Sequence, residues 1–204
     1  FLLDALGVLH VGEPAIPGTA SRIDMLRQMG KKVLVVSNAA SVPAAALREK
    51  YLRLGYDFEE AEIVSSRATL AAALDCPSDF HWGVMAVPDA RLYDLGPIRT
   101  TLLCDDPALF AAVEGFLLVG SGSWTEARQL LLEEALLARA RPVLVANPDI
   151  IAPREAGFTA EPGHFAHRLA DRTGIVPRFY GKPFPEIFDL AFARLDAQVD
   201  KARV

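Results

Sequence analysis

Three short stretches, far apart in the chain, carry residue types that could handle a phosphate-like anion. Asp4 stands in the apolar run Phe1–Leu6, which is followed by Gly7 and Val8-Leu9. A carboxylate in an apolar strand calls for a cation, a metal or backbone donors, because an unpaired buried charge is costly. Its other use is to cap the following turn, although Gly7 already supplies turn chemistry. Ser37-Asn38 closes the run Lys31–Val36 and precedes a helix opened by Pro43. A hydroxyl, an amide and a helix N-terminus can together hold phosphate oxygens; an ordinary Ser/Asn turn uses the same residues. Gly181-Lys182-Pro183 follows the apolar Phe179-Tyr180. Gly permits close backbone approach, Lys offers a compact positive charge and Pro fixes a helix entry, while a solvated turn lysine is the plain alternative.

The elements that must position these residues alternate along the chain. Strand patterns fall at Phe1–Leu6, Val33–Val36, Ile63–Ser65, Gly83–Val87, Thr100–Leu103, Phe116–Val119 and Val143–Ala146. Between and after them, helical spacing predicts helices over Thr19–Met29, Pro43–Leu54, Ser65–Leu74, Pro107–Val113, Thr125–Ala140, Pro162–Thr173 and Pro185–Leu195. Strands alternating with helices of this length predict an α/β fold, a doubly wound parallel sheet covered on both faces. Ligands bind such sheets outside the carboxyl ends of the strands, where Asp4–Gly7, Ser37-Asn38, Gly120–Ser123, Asn147-Pro148-Asp149 and Gly181-Lys182-Pro183 all fall.

In this order, the three stretches resemble the signatures of the haloacid dehalogenase superfamily of phosphohydrolases. The matching residues are Asp4-Ala5-Leu6-Gly7-Val8-Leu9, Ser37-Asn38 and Gly181-Lys182-Pro183. The long insertion holding Asn147-Pro148-Asp149 is similar to the branch with a large α/β cap of C2 type, which includes phosphatases of sugar, nitrophenyl and pyridoxal phosphates. The resemblance implies a core over residues 1–70 and 178–204 and a cap over 71–177. It makes Asp4 the nucleophile and a magnesium ligand, with the backbone carbonyl of Leu6 as a second ligand. Lys182, Ser37, Asn38 and Gly7 would bind the phosphate, and Asp149 and Asn147 would face the substrate from the cap. The implied function is magnesium-dependent hydrolysis of a small phosphate ester through an aspartyl-phosphate; the alternative is a weakly active relative that binds a phosphorylated ligand.

Two departures qualify the match. The family's second acid, two residues after the nucleophile, is Leu6 here; loss of a general acid or base costs roughly 10²–10⁴ in rate. The acidic pair that completes the magnesium site would follow the last core strand, whose opening is read at Ala202-Arg203-Val204. With Phe1 in place of an initiator Met, both ends are expected to be cut.

Other motifs are weaker. Gly120-Ser121-Gly122-Ser123 misses both a dinucleotide loop and a nucleophile elbow, and reads as a cap turn. His10, His81, His164 and His167 lack metal-site spacing.

The composition sets the outer bounds. With 51% hydrophobic and 23% charged residues the chain is not a disordered one. A net charge of −5 argues against a nucleic-acid binder. No run reaches the roughly 18 apolar residues of a membrane helix. Cys76 and Cys104 cannot form a disulfide framework, which suits a reduced, cytoplasmic setting. Partners are thus expected to be a small molecule and neither nucleic acid nor membrane, with a homodimer left open.

Overall fold

Alternate side chains of one apolar strand, Val33 to Val36, point to opposite faces, and both faces are buried. The computed structural model describes residues 1–75, 77, 79–154 and 157–195. Its first sheet is parallel, with three strands in chain order: β1 (Leu2–Leu3), β2 (Leu34–Ser37) and β3 (Ile63–Ser65). Val35 pairs with Leu3 on one side and Ile63 on the other. On one face Val33, Val35 and Ile63 pack with Ile23 of α1 (Thr19–Gln28) and with Leu47 and Tyr51 of α2 (Ala44–Arg53). On the other face Leu34, Val36 and Val64 pack with Ile187 and Ala191 of α7 (Pro185–Ala193), the last helix among the described residues.

Helix α3 (Ser66–Ala73) then leads to a second parallel sheet. Ser65 caps it, accepting from the Ala68 amide at 3.1 Å. The second sheet contains β4 (His81–Met85), β5 (Arg99–Leu102), β6 (Gly115–Leu118), β7 (Val143–Val145) and β10 (Arg178–Phe179), in the order β10-β7-β6-β4-β5. Phe116 and Leu118 face α4 (Pro107–Ala112), α5 (Glu126–Ala138) and α6 (Pro162–Thr173) through Phe110, Leu132, Leu136 and Leu169. Leu117 and Val119 face the other way, onto Leu70 of α3 and Tyr180. An α/β fold with parallel sheets covered on both faces is therefore what forms. Among the described residues, no helix is long and apolar enough to cross a membrane.

Arg67 joins the two halves. Its side chain is fully buried, and all five N–H donors of the guanidinium find acceptors: both carboxylate oxygens of Asp94 and the carbonyls of Ala40, Ala90 and Arg91.

The structure adds to the sequence pattern in two places. Between Asp149 and Pro162 an antiparallel hairpin forms, β8 (Ile151–Arg154) with β9 (Gly157–Ala160). Pro153 sits inside β8, and of the eight residues of the two strands Ala152 alone is buried; the alternation that marks a half-buried strand is therefore missing. Arg178–Phe179 pairs with Leu144–Val145 as the edge of the second sheet. A two-residue strand beginning with an arginine leaves no periodicity to detect. The strand read at residues 202–204, and Cys76, lie outside the described residues.

Candidate active site

The carboxyl ends of β1 and β2 open into a cleft of about 1040 Å³, closed opposite by the loops after β6 and β7 and by the β8–β9 hairpin. Asp4 stands just past the end of β1. Its side chain is 47% exposed, so the carboxylate faces the cleft rather than an apolar interior. A partner cation is nonetheless present: Lys182 Nζ donates to Asp4 Oδ1 at 2.5 Å, and the Ala5 amide donates to the same oxygen at 2.7 Å. The two residues are 178 positions apart in the chain.

Asn38 acts as the clasp that brings them together. Its carbonyl oxygen accepts from the Lys182 amide at 2.7 Å. Its amide nitrogen donates to the Lys182 carbonyl at 3.0 Å and to Asp149 Oδ1 at 2.8 Å. Both amide hydrogens are thus occupied in joining three loops. Gly181 makes the clasp possible. Its φ is +117°, and a Cβ there would lie 2.7 Å from Asn38 Oδ1, 2.8 Å from Ser66 Cβ and 2.9 Å from Pro148 Cδ.

Ser37 is buried and accepts from the Ala39 amide at 3.2 Å. Tyr51 lies beside it. Burial pushes the Tyr51 phenol up to about 12, opposed by its hydrogen bond with Ser37 and reinforced by the charge of Asp4. The phenol therefore stays a neutral hydrogen-bonding group at the cleft floor.

Gly7 has φ +84° and its amide donates to the His10 carbonyl at 2.9 Å. Its amide is occupied within the turn that follows Asp4, and its contribution is to the shape of that turn. Leu6 lines the cleft with an apolar side chain. His10 lines it too; Nδ1 donates to the Gly12 carbonyl at 2.9 Å, which leaves Nε2 as the free ring nitrogen. Burial, and then the charge of Lys50, hold His10 below its usual value, so the ring is neutral near pH 7.

From the opposite wall, Asp149 reaches the Asp4–Lys182 end through Asn38. Asn147 is buried and shapes its own turn, accepting from the Asp149 amide at 2.9 Å and donating to Glu161 at 3.3 Å. Gly120 and Ser121 line the same wall, and Ser121 donates to the Ala160 carbonyl at 2.7 Å. Of the other histidines, His81 bonds Thr101 at 2.8 Å and His167 stacks on Phe179, both away from the cleft lining.

Sequence reasoning missed Lys50, Tyr51, Arg154, Thr159 and Glu161, all of which line the cleft. Leu47, Lys50 and Tyr51 follow the i, i+3, i+4 spacing of one helix face, so a lysine on the apolar stripe of α2 was the available signal. The other three belong to the hairpin or follow it directly.

A family model for haloacid dehalogenase-like hydrolases matches residues 1–91. An acid sugar phosphatase of Staphylococcus haemolyticus is 26% identical over 212 residues, covering all of this chain and 74% of that protein. Among solved structures, a protein of Cytophaga hutchinsonii described as a possible sugar phosphatase of the haloacid dehalogenase superfamily aligns with a TM-score of 0.84 at 22% identity, over 98% of this chain and 72% of that one. A glycerol phosphate phosphatase of Mycobacterium tuberculosis in complex with magnesium aligns with a TM-score of 0.75 at 24% identity, over 95% of this chain and 58% of that one.

Proposed function

We propose that this chain, a haloacid dehalogenase-like phosphohydrolase, releases phosphate from a small phosphorylated metabolite through an aspartyl-phosphate on Asp4. The observation that carries this reading is the Lys182–Asp4 contact at 2.5 Å on the floor of a cleft far larger than a phosphate ion needs. The named activity of the similar acid sugar phosphatase, and the magnesium in one similar structure, support it.

The chemistry follows from what each side chain can do. Lys182 and the Ala5 amide both hold Asp4 Oδ1, which orients Oδ2 for attack on phosphorus as the ester oxygen leaves. Lys182 and the Ser37 hydroxyl stabilise the charge on the transferring phosphoryl group. Water then attacks the phosphorus of the aspartyl-phosphate, and the carboxylate of Asp4 leaves.

The donor set suits magnesium, which takes one or two carboxylates along with waters and phosphate oxygens. Asp4 and the Leu6 carbonyl would hold it, and when bound it would neutralise phosphoryl charge. Among the described residues, no three His, Cys, Asp or Glu side chains form a metal cluster. The chain's own contribution within them is that one carboxylate and one carbonyl. The reading also takes residues 71–177 as a cap over a core formed by 1–70 and 178–204, in a cytoplasmic setting.

Leu6 cannot donate a proton to the leaving oxygen, and this apolar side chain favours the second reading, a weakly active protein that holds a phosphorylated ligand. Phosphate release from nitrophenyl phosphate and from an alkyl phosphate separates the two. The phosphatase reading expects nitrophenyl phosphate to be hydrolysed at least a hundredfold faster, since its leaving group needs little protonation. Equal rates would mean that another group supplies the proton. Absence of release from either, with magnesium present, would favour the binding protein.

A further inference from the structure

We propose that the cleft contains a second anion subsite, formed by Lys50 and Arg154, and that the substrate carries a second anionic group beyond the phosphate ester that is cleaved. The inference rests on the phosphatase reading and specifies its substrate class.

Lys50 comes from the cleft-facing side of α2, is half-buried, and lines the cleft beside Leu47 and Tyr51. Its ammonium has no hydrogen-bond or ion-pair partner among the described residues. Lys182, the other lysine of the cleft, is by contrast neutralised by Asp4. Arg154 enters from the hairpin on the opposite wall. Its Nε donates to Thr159 Oγ1 at 3.1 Å and its Nη2 to Glu161 Oε1 at 2.7 Å. Glu161 is itself fixed by Thr159 at 2.9 Å and by Asn147. The guanidinium is thereby held in place with Nη1 still available.

The two cations act on each other. Burial lowers Lys50, the carboxylate of Glu13 opposes that shift, and Arg154 and then Arg53 add smaller contributions in the lowering direction. Arg154 is already paired with Glu161, so the charge left for an incoming anion is that of Lys50, with Arg154 Nη1 as a further donor. The subsite and the scissile end share one cavity, since Asp4, His10, Lys50 and Arg154 all line the same cleft. Lysine supplies a point charge and arginine a planar fork, a combination suited to a carboxylate or a second phosphate. A cleft of about 1040 Å³ has room for both ends of such a molecule.

Steady-state kinetics on the full-length protein with magnesium test this with matched esters. Glycerol 3-phosphate against 3-phosphoglycerate adds a carboxylate; glucose 6-phosphate against glucose 1,6-bisphosphate adds a phosphate. For at least one pair, kcat/KM should be about tenfold higher for the doubly anionic ester, the size of one charge-assisted hydrogen bond. Lys50→Met should abolish that preference mainly through KM, Arg154→Met should reduce it, and Lys50→Arg should retain most of it, with unchanged circular dichroism in each. Equal kcat/KM within both pairs, or a preference that survives Lys50→Met, would overturn the subsite and leave the phosphatase reading standing. If no ester is hydrolysed, the phosphatase reading fails instead. Calorimetric binding of the same four esters then decides the subsite: a preference lost in Lys50→Met supports it, and equal affinities overturn it.

Discussion

Arg67 with Asp94 and Lys182 with Asp4 are each a cation on an aspartate at 2.5 Å, yet they differ in how much bonding capacity remains. Arg67 is sealed from solvent and every donor it has is matched. Nothing is left with which to bind a ligand, so the pair acts on the fold, tying α3 to the turn before β5. Asp4 is half exposed at the cleft, with one carboxylate oxygen held and the other available. The identity of the charges does not distinguish the two pairs; the hydrogen-bonding capacity left facing a cavity does.

Substitution at each pair should therefore give opposite outcomes. Asp4→Asn should reduce phosphate release by at least a thousandfold, as loss of a nucleophile does, while its melting temperature stays near that of the parent. Arg67→Met should leave Asp94 and three carbonyls without their partner and cost about 3–5 kcal/mol of stability in urea unfolding. If Asp4→Asn unfolds the protein, or Arg67→Met proves neutral, the contrast between the pairs collapses.

Gly181 lies between these extremes, because it supports the Lys182–Asp4 pair through packing. Gly181→Ala places a methyl against Asn38 and Ser66 at a positive φ, and should cost on the order of 2 kcal/mol. It should also lower kcat by displacing Lys182; an activity loss without any stability loss would contradict the clasp.

The smallest effect concerns His10. Its native value lies below the ordinary one of about 6.5, so the unfolded chain binds the proton more readily. Stability is then full above pH 6.5 and declines as pH falls below it. His10→Asn should flatten this slope in melting temperature between pH 7 and 5. A slope unchanged by the substitution would assign it to other groups.

Much of the site was legible in the sequence because strand ends are. Asp4 stands within an apolar run, Ser37 and Lys182 follow one, and each precedes a turn or helix, a pattern that places all three near the carboxyl ends of strands. Asn38 was legible as a position but not as a clasp, since its partners lie 111 and 144 residues away. Arg154 and Glu161 were hidden because their hairpin has no buried face to impose alternation. Arg67 gave no signal at all; a buried arginine looks in sequence like any helical surface residue.

The central claim is that Asp4 becomes phosphorylated. Full-length protein mixed with nitrophenyl phosphate and magnesium, quenched in acid during turnover and digested, should yield a peptide bearing a phosphoryl group on Asp4, absent from Asp4→Asn. Turnover that proceeds with Asp4 unmodified at every quench time, or that persists in Asp4→Asn, would contradict it.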